Sequence, residues 1–320
     1  MPAPVLLLGA VAIGCVPAAR LLAAASWPRR SPAIAIALWQ AIGLSWGVAT
    51  VGALAGIGTS DLHRSGLGLS SVAARTGVVA RLLVGTDDAR ARSWGLLTVL
   101  RVVSLGASIV LLTVLCWILI AAVANVLRAR HRQRALLGLL AHDDPKVPGA
   151  LVVDHPAATA YCVPGLRSAI VISAGTLDLL DQAELAAVLA HERAHLRARH
   201  DLVLLPFTAL LRAFRWSAIA REANRQVALL VEMLADDRAR RFRPARELAT
   251  ALLRVGASGG GQAPAGALAV TGTAVEGELT ARVTRLLRPP PDLPVIWAIV
   301  IAAVAATLVV APAAAMILPF

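Results

Sequence analysis

Four long apolar runs without a charged residue dominate the hydrophobic pattern of the chain. They cover residues 1–19, 31–60, 102–127 and 293–320. A helix needs about 20 apolar residues to cross the hydrocarbon core of a bilayer. The pattern therefore predicts four transmembrane helices, with an outer loop over about 61–96 between the second and the third.

Arginine clusters flank these runs and predict their orientation. No basic residue precedes the first run, and three arginines follow it, which argues against a cleavable signal peptide. Cytoplasmic loops gather Lys and Arg. We therefore expect both termini outside, three helices within 1–127, a cytoplasmic domain over 128–292 and the fourth helix within 293–320. The arginines that carry this prediction are Arg20, Arg29, Arg30, Arg128, Arg130, Arg132, Arg134, Arg282, Arg285 and Arg288.

Composition agrees with a membrane protein. The chain is 58% hydrophobic and only 16% charged, whereas soluble domains are nearer 45–50% apolar and about 25% charged. The net charge of +12 is explained by arginines beside the apolar runs, where they contact anionic lipid and set orientation. We expect the lipid bilayer as a partner and no direct binding of nucleic acid. Arginine-rich, alanine-rich composition is typical of a GC-rich bacterium, so the expected location is a bacterial plasma membrane.

The region 128–292 contains shorter elements. A helix is predicted to begin after Asp181, which with Glu184 three residues later has the spacing of a capping box. A second helix is expected at about 221–241. Ahead of these helices lie three short β-prone runs, which predict a small sheet: 150–154, 159–163 and 168–173.

The segment "HERAH" is the first candidate for chemistry. His191 and His195 are four residues apart, so both imidazoles project from one helical face. That spacing lets two nitrogens reach one zinc ion, and Glu192 beside them can act as the general base of a metallopeptidase. The competing interpretation is a solvated helix face, since arginines flank the motif.

A catalytic zinc takes three protein ligands and keeps one position open. Glu232 interrupts the apolar run 227–234, where an unpaired buried carboxylate would be costly. Asp236 follows one turn later on the same face. The pair is interpreted as a third ligand and a carboxylate that orients a ligand histidine. The alternative is the polar face of an ordinary amphipathic helix.

Together "HERAH", "EMLAD", "AYCVPG", "AIVISAGTLDLL" and the four-span pattern resemble the BlaR/MecR antirepressor family of membrane zinc metallopeptidases. They are also similar to the HtpX-like peptidases, which share the gluzincin core. The resemblance implies that His191, His195 and Glu232 bind one zinc ion. It also implies that Glu192 is the general base and then acid, and that Asp236 orients a ligand.

The fold class expected is thus a multi-pass α-helical membrane protein with a mostly α, zincin-like α+β cytoplasmic domain. Family members that sense β-lactams carry a penicillin-binding domain after the last span. We expect this chain to lack that C-terminal sensor domain and therefore not to sense β-lactams directly.

The expected function is endopeptidase cleavage of a cytoplasmic protein, with a transcriptional repressor as the first candidate substrate. One alternative is HtpX-like quality control of membrane proteins. Another is a non-catalytic membrane signalling protein with a zincin fold. The stimulus, the cleavage site and the oligomeric state stay open.

Several further residues have weaker signals. Tyr161 is a candidate oxyanion or substrate contact, although packing is the favoured interpretation. The segment 159–165 is either an edge strand that holds an extended substrate or an interior strand. His200 and Asp201 could support the site, although a helix end with a mixed-charge pair is the favoured interpretation. Arg282 and Arg285 could reach a substrate carbonyl, although interfacial anchoring is favoured.

Overall fold

The computed structural model describes residues 3–59, 89–145, 147–164, 168–258 and 272–317. The described residues form two compact units. One lies within 1–24, 37–118 and 295–320, and the other within 25–36 and 119–294.

Four described helices are long and apolar enough to cross a membrane. They are α1 (Ala3–Ala24), α2 (Pro32–Thr59), α3 (Ala89–Leu140) and α10 (Val295–Ile317). The helix α3 contains the predicted apolar run 102–127 and extends beyond both of its ends, through the arginines 128–134 to Leu140. Residues 89–96, assigned to the outer loop by sequence, form the first turns of α3, and 61–88 lie outside the described residues.

The first unit is built from apolar helix faces. Leu8, Ala49, Ala53 and Ala315 form its buried cluster, and the Ser108 hydroxyl donates a hydrogen bond to the Val51 carbonyl at 3.0 Å. Large apolar side chains on the outside of these helices remain exposed, among them Trp117 at 71% and Val295 at 73%. Contiguous exposed apolar surface of this kind is typical of a membrane-facing side.

The second unit contains a four-stranded sheet and six helices among its described residues. The strands are β1 (Ala141–Asp143), β2 (Leu151–Val153), β3 (Ala160–Val163) and β4 (Ala169–Ser173). The helices are α4 (Ala174–Leu179), α5 (Gln182–Ala198), α6 (His200–Ala213), α7 (Ala218–Ala239), α8 (Ala245–Ala257) and α9 (Gly272–Leu287). A short 3₁₀ turn, Trp27–Arg29, also belongs to this unit.

The sheet order is β1-β2-β4-β3. β2 and β4 are parallel in the middle, whereas β1 and β3 pair antiparallel at the two edges. The three predicted strands are confirmed within a residue or two of their ends. β1 was not predicted, because "AHD" has no β-prone alternation. β1 pairs with β2 over only three residue pairs.

One face of the sheet packs against α5. Val152, Ile170 and Ile172 are buried with Leu185 and Leu189 of that helix. At the start of α5 the Asp181 side chain accepts from the Glu184 amide at 2.9 Å, and the Glu184 carboxylate accepts from the Asp181 amide at 3.1 Å. The predicted capping box is confirmed, and it fixes the start of the helix that carries "HERAH".

Candidate metal centre

The site forms where α5 and α7 face each other. His191 and His195 project from one side of α5, while Arg193 and Arg197 on the other side are exposed. The two Nε2 atoms are 3.0 Å apart. Since each would lie about 2.0–2.1 Å from a shared zinc ion, their separation must not exceed about 4 Å, and it does not.

Glu232 of α7 completes the group. Its Oε2 lies 3.4 Å from His191 Nε2, and its Oε1 lies 3.5 Å from His195 Nε2. The three ligand atoms are all within 4.8 Å of one another. The donor set of two imidazoles and one carboxylate is one that zinc accepts, with a fourth position left for water or substrate.

Asp236 lies beneath this group and is 1% exposed. Its Oδ1 is 2.9 Å from His191 Nδ1, the ring nitrogen that faces away from Glu232. Such a carboxylate holds a ligand imidazole in one orientation and tautomer. Burial would raise the pKa of Asp236, but the Arg282 guanidinium and His191 outweigh it and hold that pKa at about 2.

The electrostatics of the cluster favour an added positive charge. Burial would lower the pKa of His191, but Asp236 and Glu232 outweigh it and raise that pKa to about 10. Carboxylates that stabilise a proton here also stabilise a cation. For His195 the largest effect is that of burial, which lowers the pKa of the ring to about 4. The ring is then neutral, as a metal ligand must be. The residues present therefore fit a divalent zinc ion.

Glu192 borders the same cleft as the three predicted ligands, which has a volume of about 530 Å³. Burial raises the pKa of its carboxyl group above the usual range. A carboxylate of higher pKa is a stronger base, which suits proton transfer near neutral pH.

Arg282 of α9 binds two acidic residues of α7, Asp236 and Glu232, at once. Its Nε and Nη2 donate to the Asp236 carboxylate at 2.9 and 2.8 Å, and its Nη1 lies 3.0 Å from Glu232 Oε2. The interfacial interpretation of Arg282 is therefore wrong. Arg285 instead binds the Asp237 carboxylate with two bonds of 2.7 Å, so it too is held inside the domain. The sequence suggested a position at the membrane interface because Arg282 and Arg285 both precede the apolar run 293–320.

For His200 the sequence favoured a helix end with a mixed-charge pair over a role in supporting the site. The structure instead places this residue in the interior beside the site: it is 2% exposed, and its Nδ1 lies 3.1 Å from His195 Nδ1. Arg199, the one described non-glycine residue with positive φ (52°), makes the turn between α5 and α6 that brings His200 back towards α5. No local pattern in the sequence indicates a left-handed arginine.

β3 forms another wall of the cleft through residues 159–162. It pairs with β4 only, in the part of the sheet that the structure describes, so it is an edge strand and not an interior one. Its binding of an extended substrate stays a prediction. Tyr161 packs partly against the cluster of Leu137, Val163 and Val171 and also borders the cleft. Its role as an oxyanion or substrate contact stays a prediction.

Residues 125–244 match the model of Peptidase family M48. The match covers well under half of the chain but includes "HERAH", Glu232 and Asp236. It supports a zinc metallopeptidase of the type to which HtpX-like and BlaR-like proteins belong. Neither the curated proteins nor the solved structures contain a match to this chain.

Proposed function

We propose that this chain is a membrane-anchored zinc endopeptidase that hydrolyses peptide bonds in a cytoplasmic protein. One observation carries the proposal. His191, His195 and Glu232 converge within 4.8 Å on a cleft that also contains Glu192 and is bordered by the edge strand β3.

His191, His195 and Glu232 would hold the zinc ion, which when bound polarises a peptide carbonyl and makes a water molecule more acidic. Asp236 keeps His191 in the tautomer that presents a lone pair at Nε2. Arg282 keeps Asp236 and Glu232 ionised, since its guanidinium lies 2.8–3.0 Å from both carboxylates.

Glu192 would carry the proton. Its carboxylate takes a proton from the attacking water as the new C–O bond forms. It then delivers that proton to the amide nitrogen as the C–N bond breaks, so that the products are a carboxylic acid and an amine. The apolar surroundings that raise the pKa of Glu192 make it a stronger base.

An extended substrate would lie along β3. The unpaired edge of a strand offers backbone donors and acceptors to an added strand, and residues 159–162 line the cleft beside the predicted ligands. Backbone pairing accepts many sequences, which suits a peptidase that acts on a locally unfolded or exposed segment.

A transcriptional repressor is our first candidate substrate, because the motifs resemble those of the BlaR/MecR antirepressors. Quality control of membrane proteins, as in HtpX-like peptidases, would use the same chemistry on a different substrate. The non-catalytic alternative is disfavoured by the complete convergence of ligands and base.

The test uses the full chain purified in detergent or nanodiscs. Wild-type protein should contain about one zinc ion per chain and cleave unfolded protein or peptide substrates. Glu192→Gln should keep its zinc but lose about 100-fold or more in kcat. Glu222→Gln removes a carboxylate on α7 that pairs with Arg225 and is the matched control, with zinc content and activity unchanged.

A wild-type protein without zinc, or a Glu192→Gln variant of full activity, would refute the proposal. In cells the same variant should retain bound substrate, and the identity of the retained protein separates a repressor from misfolded membrane proteins. Protease accessibility of an amino-terminal tag tests the predicted topology, in which that terminus lies outside.

A further inference from the structure

Glu278 of α9 faces the cleft but is absent from the chemistry described above. It lines the same cavity as Glu192 and Arg282, and it precedes Arg282 by one helical turn, on the same face. Its Oε1 is buried and has no hydrogen-bond partner among the described residues. A carboxylate oxygen is thus present in the cleft without a partner of its own.

The nearest guanidinium groups are already engaged elsewhere. Arg225 donates to both oxygens of Glu222, at 2.8 and 3.1 Å. Arg282 donates to Asp236 and lies 3.0 Å from Glu232. Both cations influence Glu278 electrostatically, but neither forms a hydrogen bond with it.

Leaving such an oxygen unpaired has a cost. A buried acceptor without a partner loses its solvation and gains no hydrogen bond in return, and groups of this kind in native proteins call for an explanation such as an absent ligand. Because Glu278 is on the wall of a cleft that would hold substrate, a substrate group can provide the missing donor.

The neighbouring wall indicates which group fits. α8 forms an apolar wall of the cleft, in which Leu252 and Val255 are half-buried and Leu248 and Ala251 are buried. α8 and α9 pack directly against each other through Leu248, Leu252, Leu279 and Val283, so the apolar surface and the carboxylate are adjacent. Lysine and arginine combine an aliphatic stem with a cationic end, which complements both features.

We propose that Glu278 is a specificity-determining residue that selects substrates with a lysine or arginine side chain close to the scissile bond. The proposal rests on the peptidase function proposed above. The α8 wall would contact the methylene groups, and Glu278 would accept the hydrogen bonds of the ammonium or guanidinium group.

The experiment compares peptides that differ at one position. An acetylated quenched-fluorescence peptide is made with lysine, norleucine or glutamate at each position around the scissile bond. Wild-type enzyme should prefer lysine to norleucine at one of these positions by about 10- to 100-fold in kcat/KM, as expected for a charge-assisted hydrogen bond. Glu278→Gln should abolish that preference while cleavage of the norleucine peptide stays within about twofold. Glu278→Arg should reverse it in favour of glutamate.

Glu247→Gln is the matched control. Glu247 also has a buried carboxylate oxygen without a partner, but it does not line the cleft, so this variant should keep the lysine preference. The wild-type comparison of lysine with norleucine needs no variant and is unaffected by misfolding.

Equal cleavage of lysine and norleucine peptides at every position would overturn the proposal, as would a preference that survives Glu278→Gln. In both cases zinc-dependent cleavage that disappears in Glu192→Gln would leave the peptidase function standing. Absence of zinc-dependent cleavage of any peptide would instead overturn both proposals.

Discussion

His195 Nδ1 lies 3.1 Å from His200 Nδ1, and both rings are neutral because burial lowers the pKa of each to about 4. If His195 binds zinc through Nε2, its proton is on Nδ1 and is donated to His200. His200 then carries its own proton on Nε2. In this arrangement His200 would orient His195 in the way that we propose for Asp236 and His191.

We therefore expect His200→Ala to weaken zinc binding by about 10- to 100-fold, the usual effect of losing a group that orients a ligand. The affinity is measured by competition with a fluorescent chelator. His131→Ala removes an exposed histidine of α3 and should leave the affinity unchanged. Unchanged zinc affinity in His200→Ala would show that His195 needs no such support.

Arg282→Lys tests the link that Arg282 makes between Glu232 and Asp236 of α7. A lysine has one ammonium group and cannot keep the two parallel bonds to Asp236 together with the contact to Glu232. We expect a fall of about 10-fold or more in kcat/KM and weaker zinc binding.

Arg285→Lys is its matched control, since Arg285 makes the same two-bond contact with Asp237 outside the cleft. It should lower the thermal stability without lowering zinc affinity. Equal loss of zinc affinity in both variants would assign Arg282 a merely structural role.

Local spacing explains which parts of this site the sequence reveals. His191, Glu192 and His195 lie within five residues, and Glu232 and Asp236 within another five, so helical periodicity alone brings each group to one face. Arg282 and Glu278 come from α9, which follows the Gly/Ala-rich stretch 255–273 of the sequence, and only tertiary packing brings α9 to the cleft. Their spacing of four residues, next to the apolar stripe Leu279, Val283 and Leu286, is a helical signal that the sequence does offer.

The long apolar runs likewise predict the four candidate membrane helices, because their signal is compositional. The far longer α3 and the strand β1 depend on contacts distant in sequence. α3 continues through the arginines to Leu140, and one of them, Arg130, pairs with Asp201. An ion pair between residues 71 positions apart cannot be predicted from the helical periodicity of the sequence.

Cys162 should resist alkylation at neutral pH. Burial, with a smaller contribution from the negative charge of Glu192, raises the pKa of its thiol to about 12. The thiolate is the reactive form, so its fraction is very small at pH 7.5 and rises only as the pH approaches 12. In a Cys15→Ala, Cys116→Ala background, maleimide should label Cys162 only after denaturation. Rapid labelling of the folded protein at pH 7.5 would contradict the raised pKa of this thiol.

Gly175 controls the position of β3 through a close backbone contact. A Cβ atom on this residue would lie 2.0 Å from the Pro156 carbonyl oxygen, and the Gly175 amide donates to the His155 carbonyl at 3.0 Å. Gly175→Ala must therefore displace the chain that leads into β3. We expect it to lower the free energy of unfolding by about 1–3 kcal/mol and to reduce cleavage of extended substrates.

Gly138→Ala is the control. Gly138 lies within α3 and has nothing within 4 Å of an added Cβ, so alanine there should stabilise the helix by up to about 1 kcal/mol. Thermal unfolding of both variants in the same detergent measures the difference. Equal stability of the two would mean that the segment before β3 can move without cost, and the edge strand would then be too loosely held to position a substrate.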